Sequence, residues 1–416
     1  MIKNIKIASR SRFAKNSLIL MIGSSIGQVI SILVSPFLSR IYSVEDFGLF
    51  SFFSGIVSIG SVIATAKYEL AIILPKNNSN AKALLYLCFY ILWVFCTIGL
   101  IFAFVLTLWS IKETANIQKI AILIPVAIFF IASNQTIGYW LTRNFNFKAI
   151  STNRVIQGIT SAIVSCSLGL TEFNDYGLIL GFILGQFVSV VNSCISIKEK
   201  HLSYDGNKKR LLYVAKRYSS YPRYILPAVL LESISSQAPV FVITALYSST
   251  WTGYYGFSEK LLSVPASIIG LAVGQSFYSQ FVKYYNEKNP KIKTFVLRVW
   301  LLMGGVAFVP MLLVFIYGEN IFSLFFGSNW NEAGKIASIM SIMFFLKFIS
   351  TPTSGAYLVI GLEKYSLFFG LATIILRPLA IVLGYLLNDF YQGIYFLVIT
   401  EVTVIVIYNI KLWRTL

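Results

Sequence analysis

Six ionisable residues stand inside long apolar stretches of this sequence: Glu232, Glu259, Lys260, Lys347, Arg377 and Glu401. A charge held at the centre of a membrane helix costs about 2.5–3.5 kcal/mol or more unless it is paired or hydrated, so such groups face a protein interior or a water-filled cavity. Three cations and three carboxylates at that depth suit two kinds of chemistry. The cations can hold an anion, and a carboxylate can take up and release a proton or cation. Three structural ion pairs would also account for the cancelling charges, and Glu401 with Arg377 is the simplest of them.

Enzymatic constellations are missing from the sequence. The single histidine, His201, lies in a basic loop; no GxxxxGK[ST] phosphate loop, GxSxG elbow or metal-ligand spacing occurs, so no metal or other cofactor is expected beyond a coupling H+ or Na+. Cys88, Cys96, Cys166 and Cys194 all fall in apolar runs and read as reduced packing residues.

The elements that must carry these groups follow from composition. With 57% hydrophobic and 12% charged residues against the roughly 25% charged of a soluble domain, the 416-residue chain cannot make an ordinary water-facing surface. Apolar runs of about 20 residues, long enough to span the bilayer core, recur from end to end. They give twelve expected spans, at residues 16–39, 47–66, 83–110, 120–142, 149–170, 176–197, 219–247, 253–280, 293–317, 335–360, 366–387 and 393–411. The basic amino terminus leads into a run that lacks a cleavage site and reads as a retained first helix.

Charge sets the topology. Of the 34 Lys and Arg, only Arg40, Lys112, Lys119 and Lys335 lie in one set of alternate loops; three are intramembrane, and the other 27 lie in the opposite set and its flanks. The acid-rich set, with Glu45, Asp46, Glu172, Asp175 and Asp389, is then the outer one, and both termini are cytoplasmic. The same placement makes the basic excess a topology signal and not a nucleic-acid footprint. Six of the seven tryptophans, all but Trp93, fall near span ends, where an interfacial belt would place them. Lys67, Glu69 and Arg40, also near span ends, are expected to snorkel.

An offset of 205 residues aligns Leu38–Gly60 with Ile243–Pro265, pairing Tyr42 with Tyr247, Ser43 with Ser248, Gly48 with Gly253 and Phe52 with Phe257. The shared turn joins spans 1 and 2 in one half and 7 and 8 in the other. The expected fold is therefore all-α and integral to the membrane, with twelve helices in two parallel halves, residues 1–197 and 219–416, joined by a cytoplasmic linker, 198–218. Spans 1, 2, 7 and 8 carry small and polar residues at steps of three and four: Ser24, Gln28, Ser31, Ser35 and Ser39; Ser51, Ser54, Ser58, Ser61 and Thr65; Glu232, Ser235, Ser236 and Pro239; Glu259, Ser263, Ala266, Gly270 and Gly274. Helix packing explains any one stripe, and four on repeat-related spans favour a polar cavity. Of the prolines within spans, Pro227 and Pro239 flank Glu232 as hinges for alternating access.

The segment SPFLSRIYSVEDFGLFSFFSGIVSIGSVIATAKYELAIILPK, Ser35–Lys76, closely resembles the start of bacterial O-antigen and polysaccharide flippases of the Wzx type. These belong to the multidrug, oligosaccharidyl-lipid and polysaccharide exporter superfamily, whose fold is that of the multidrug exporters. The turn at Leu38–Gly48 and the YELAIILP segment at Tyr68–Pro75 carry the likeness. The resemblance implies a flippase of lipopolysaccharide biosynthesis in the bacterial inner membrane, not an enzyme. It would move an undecaprenyl pyrophosphate-linked oligosaccharide from the cytoplasmic to the periplasmic leaflet by ion-coupled alternating access. Its partners would be that lipid-linked oligosaccharide, membrane lipids and, as candidates, a polysaccharide polymerase and a chain-length regulator, with no nucleic acid.

On this reading Arg40, Lys260, Lys347 and Arg377 hold the pyrophosphate, and Gln28, Ser31 and Ser58 line the glycan cavity. Glu232 and Glu259 are the ion-coupling carboxylates. The competing readings are a cation-coupled drug or metabolite antiporter of the same fold and, from a different class, an integral-membrane glycan polymerase or acyltransferase. The last two would be expected to carry catalytic residues on a sizeable outer loop, and the largest outer connection here, Gly318–Gly334, is short.

Overall fold

The computed structural model describes residues 22–23, 25–108, 120–171, 176–197 and 206–416, and these are helical with no strand among them. The amino terminus, Ser24, Trp109, Lys112, Lys119, Glu172, Asp175 and His201 lie outside the described residues. Helices occupy each expected span: α1 (Ser25–Ile41), α2 (Val44–Ile63), α3 (Asn78–Leu108), α4 (Leu123–Arg143), α5 (Phe147–Gly169), α6 (Gly177–Ile195), α7 (Leu226–Leu246), α8 (Ser249–Asn286), α9 (Ile292–Phe326), α10 (Asn331–Ser350), α11 (Glu363–Leu386) and α12 (Phe390–Thr415). Nine segments among the described residues are long and apolar enough to cross a membrane, and α8, bent by 42° between Gly270 and Val273, makes a tenth. The other two are α1, whose described part is short, and α5, which carries Lys148, Asn153, Arg154 and Gln157.

The chain forms two compact units, Met1–Val34 with Phe53–Ser233 and Ser35–Phe52 with Ile234–Leu416. In the first unit α5 packs on α6, and α4 packs on α6 and α3. The YELAIILP segment is a short 3-10 helix, Tyr68–Ile73, entered through two left-handed residues, Ala66 (φ 50°) and Lys67 (φ 60°). Glu69 does not snorkel: it is 1% exposed, accepts a hydrogen bond from Thr65 Oγ1 at 2.5 Å and pairs with Lys67 Nζ at 3.3 Å. The left-handed turn bends Lys67 back over the carboxylate, which is how an acid is kept inside an apolar core that includes Ile72, Leu84, Cys88 and Trp140. Arg143, ending α4, donates to the carbonyls of Ile72 and Ile73 and to Asn78 Oδ1, at 3.3, 3.1 and 3.0 Å.

The linker carries a basic helix, Lys208–Arg217, capped by Asn207, whose side chain accepts from the Lys209 and Arg210 amides. Val214 enters the same core, and Tyr68 donates to the Ala215 carbonyl at 3.0 Å. Burial pushes the Tyr68 phenol above its ordinary value, which keeps it a donor.

In the second unit α10 packs against α8, α9 and α12, and α11 against α12. Trp330, just before α10, is 1% exposed and Trp140 in the first unit 2%, so these two tryptophans are core and not interfacial belt. The Trp330 indole donates to the Ser39 carbonyl at 2.9 Å and its ring meets Phe47 edge-on, because a polar N–H at a buried span end needs an acceptor that the end of α1 supplies.

The 205-residue repeat is a repeat of geometry. The amides of Tyr42 and Tyr247 both donate four residues back, to Leu38 and Ile243, at 2.9 Å. The hydroxyls of Ser43 and Ser248 then cap the next helix, accepting from the Asp46 and Trp251 amides at 3.2 Å.

Candidate functional site

Three helices of the second unit bring their intramembrane charges together. Glu401 on α12, with a side chain 5% exposed, receives Lys347 Nζ of α10 at 3.0 Å on one oxygen and Arg377 Nε of α11 on the other. Arg377 also donates to Ser235 Oγ of α7 at 3.1 Å, and Ser235 donates to Thr373 Oγ1 at 3.1 Å. Arg377 and Thr373 are four residues apart and so lie on one face of α11, where they grip the same serine. Glu259 on α8 lies within electrostatic reach of Lys347, Arg377 and Glu401, and the buried Tyr255, one turn earlier, is within reach of Glu259, Arg377 and Glu401.

One carboxylate therefore holds two cations. An Arg carries five N–H donors and a Lys three, so most of the donors are not used by Glu401, and the Lys347 side chain keeps 30% of its surface open. Glu259 and Glu401 balance Lys347 and Arg377; Lys260, half-buried and next to Glu259 in sequence, makes no ion pair among the described residues. Such a group can accept an anion between Lys347 and Arg377 if Glu401 gives way.

The remaining expected residues sit elsewhere. Arg40 is exposed and follows Ser39, the acceptor of the Trp330 indole, whereas Lys347 is 17 residues along α10, about 25 Å at 1.5 Å per residue. Arg40 therefore does not share an anion with Lys347. Gln28, Ser31 and Ser58 are half-buried in the first unit, and Glu232, in the same unit, is exposed and makes no ion pair among the described residues. Part of the small-residue pattern is packing: a Cβ on Gly270 would meet the Thr351 side chain, and one on Gly274 would touch Pro352. Ser235 was expected on the polar stripe of span 7, though not as a partner of Arg377, and Thr373 and Tyr255 were not singled out. The step from Thr373 to Arg377 on one helix is the sequence signal for Thr373.

The fold is that of flippases and multidrug exporters. The lipid II flippase MurJ in an inward closed conformation superposes with a TM-score of 0.73 at 14% identity, over 96% of this chain and 87% of that one. An inward-facing multidrug resistance MATE family transporter of the MOP superfamily gives 0.68 at 13%, over 95% and 94%. A MOP superfamily transporter from Pyrococcus furiosus, described as having a binding pocket of reverse polarity, gives 0.60 at 13%, over 96% and 94%. Among curated proteins none matches by sequence. Residues 37–335 match the family described as "Polysaccharide biosynthesis protein", and with most of its length so matched the chain belongs to that family.

Proposed function

We propose that the chain is a flippase carrying a polyprenyl pyrophosphate-linked oligosaccharide of the O-antigen type from the cytoplasmic to the periplasmic leaflet of the bacterial inner membrane. The architecture proposed with it is twelve spans in two six-helix halves, with both termini cytoplasmic. Family membership supports a role in polysaccharide assembly, and the family and its fold neighbours are flippases and transporters, not enzymes.

The observation that carries the proposal is the sharing of Glu401 by Lys347 and Arg377. A pyrophosphate cannot cross hydrocarbon unaided, and two cations in a low-dielectric site supply what it loses from water. In the resting site Glu401 keeps both cations from standing uncompensated; with substrate present the phosphate oxygens replace it, and after release Glu401 closes the site again. Alternating access would present this exchange to one leaflet and then to the other.

The test is complementation of a strain lacking the protein. Wild type should restore surface polysaccharide and clear lipid-linked oligosaccharide from the inner leaflet, while Lys347→Ala and Arg377→Ala, present in the membrane at equal amounts, should not. Unchanged polysaccharide in the deletion strain, with altered resistance to cationic drugs instead, would favour the antiporter and sink the flippase.

A further inference from the structure

The first unit contains a polar pocket that the charge cluster does not account for. A cavity of about 450 Å3 lies among α4, α5 and α6, within the roughly 300–1,000 Å3 range of small-molecule sites. The sequence makes room for it by uneven packing. Gly181 and Gly185, one turn apart on α6, let that helix close onto the α5 backbone, since a Cβ on either would run into Ser161, Ser165 or the Gln157 carbonyl. The side of α5 and α6 turned to α4 is left open.

One wall of the pocket is a fixed amide network. Asn134 Nδ2 donates to Gln186 Oε1 at 2.7 Å and to the Gln186 carbonyl at 3.0 Å, and Ser189 Oγ donates to Asn134 Oδ1 at 3.1 Å. Deeper in α5, Asn153 donates to Ser193 at 2.5 Å and accepts from Asn192. Three further lining side chains, Gln135, Arg154 and Gln157, make no hydrogen bond or ion pair among the described residues. Gln135 and Arg154 are exposed and Gln157 is half-buried, so their polar groups are open to water or a ligand, and helix packing alone would be served better by apolar residues.

The donor set selects a ligand. Primary amides offer donors and acceptors together, serine hydroxyls add both, and the Tyr139 ring adds an apolar face. Among the described residues no carboxylate lines the cavity and one cation does, so a drug cation or a metal ion is disfavoured, and a neutral or weakly acidic polyhydroxyl compound fits. Thr142, Asn153 and Ser193 lie toward helix ends that the basic-loop topology places on the cytoplasmic side, where a lipid-linked glycan is built.

We infer that this pocket is a carbohydrate subsite that takes sugar units of the substrate glycan, an inference that rests on the flippase reading. It would set which glycan is accepted, whereas the charge cluster would bind the carrier phosphate whatever sugar it bears.

Binding to the purified full-length protein tests it with three probes from cells lacking the protein: the lipid-linked oligosaccharide, the oligosaccharide released from it by mild acid, and the sugar-free polyprenyl pyrophosphate. Gln157→Leu and Arg154→Gln remove groups that pair with nothing among the described residues and should leave thermal stability unchanged. Each should weaken binding of the released oligosaccharide by about tenfold, the scale of one lost hydrogen bond, and leave binding of the sugar-free carrier as in wild type. Equal oligosaccharide binding by wild type and both variants would overturn the subsite, as would a wild type that binds the carrier but not the oligosaccharide. Failure of wild type to bind any of the three would remove the flippase reading itself.

Discussion

Gly48 and Gly253 occupy equivalent places in a contact that is its own mirror under the 205-residue repeat. A Cβ built on Gly48 would collide with the Ser249 carbonyl oxygen, and one built on Gly253 with that of Val44, and Val44 and Ser249 are themselves 205 positions apart. One turn further on, Gly256 approaches the side chain of its own repeat equivalent, Ser51. The starts of α2 and α8 thus cross about a local two-fold, backbone against backbone, and only glycine permits the approach.

Substitution should therefore split by position. Gly48→Ala and Gly253→Ala should each lower stability by about 1–3 kcal/mol, the usual cost of forcing atoms into a filled contact. Gly305→Ala, on a stretch of α9 where a Cβ meets nothing within 4 Å, should be neutral or raise stability by up to about 1 kcal/mol. Thermal unfolding in detergent compares the three, and a Gly48→Ala protein as stable as Gly305→Ala would contradict the crossing.

The ion-pair cluster predicts an ordered series. Glu401→Ala strands two cations and should cost about 3–5 kcal/mol. Arg377→Ala should cost more than Lys347→Ala, since Arg377 is the less exposed of the two, at 19% against 30%, and also holds Ser235. A double-mutant cycle between Glu401 and Arg377 should show strong coupling, and additive effects would mean that the pair is not formed.

The turn before YELAIILP stores backbone strain that sequence changes can release. Ala66 has φ 50°, a conformation costing an L-residue about 1–2 kcal/mol, so Ala66→Gly should stabilise the protein by up to about 1 kcal/mol after the entropy of glycine is counted. Glu69→Ala should destabilise by about 3–5 kcal/mol because Lys67, only 12% exposed, loses its buried partner. Equilibrium unfolding would refute the account if the two changes moved stability in the same direction.

What could be read from the amino acids alone was periodicity and charge; what could not was which helix faces meet. Lys347, Arg377 and Glu401 announce themselves as charges in apolar runs, yet their partnership spans three helices, and Ser235 joins Arg377 from 142 positions away. The glycine repeat was visible as a match, but a match does not say that the two copies touch. Asn134, Asn153, Gln157 and Gln186 escaped notice because uncharged amides barely disturb an apolar span, although Asn134, Asn153 and Gln186 join hydrogen bonds between helices. Trp140 and Trp330 sit near helix ends and were assigned to the interface; end position alone does not reveal whether a neighbouring helix covers the ring.

Side-specific labelling tests the topology. In a cysteine-free background, Arg40→Cys should react with a membrane-impermeant thiol reagent in intact cells, because the proposed layout puts this exposed residue in the first outer turn. Lys208→Cys, on the basic linker helix, and Lys291→Cys, just before α9, should react only after the membrane is opened. Labelling of Lys208→Cys from outside would invert or break the layout.

Energy coupling turns on which carboxyl answers the arriving anion. Glu232 and Glu259 were both expected to serve. Glu232 is exposed and unpaired among the described residues, whereas Glu259 shares its electrostatic surroundings with Lys347, Arg377 and Glu401. On the proposed function, a pyrophosphate entering between Lys347 and Arg377 would bring negative charge into a group that Glu259 and Glu401 already help to balance. Proton uptake by a carboxyl in that group would offset the new charge, and release of the substrate would reverse it. We propose that Glu259 is the carboxyl that would couple transport to a gradient; on that proposal Glu259→Gln, a fixed imitation of its protonated form, should bind the sugar-free polyprenyl pyrophosphate at least as tightly as wild type. In proteoliposomes the same variant should lose stimulation by an imposed proton gradient, while Glu232→Gln should keep it. The reverse pattern, with stimulation lost in Glu232→Gln and kept in Glu259→Gln, would move the coupling site to α7 and leave Glu259 as a structural counter-charge.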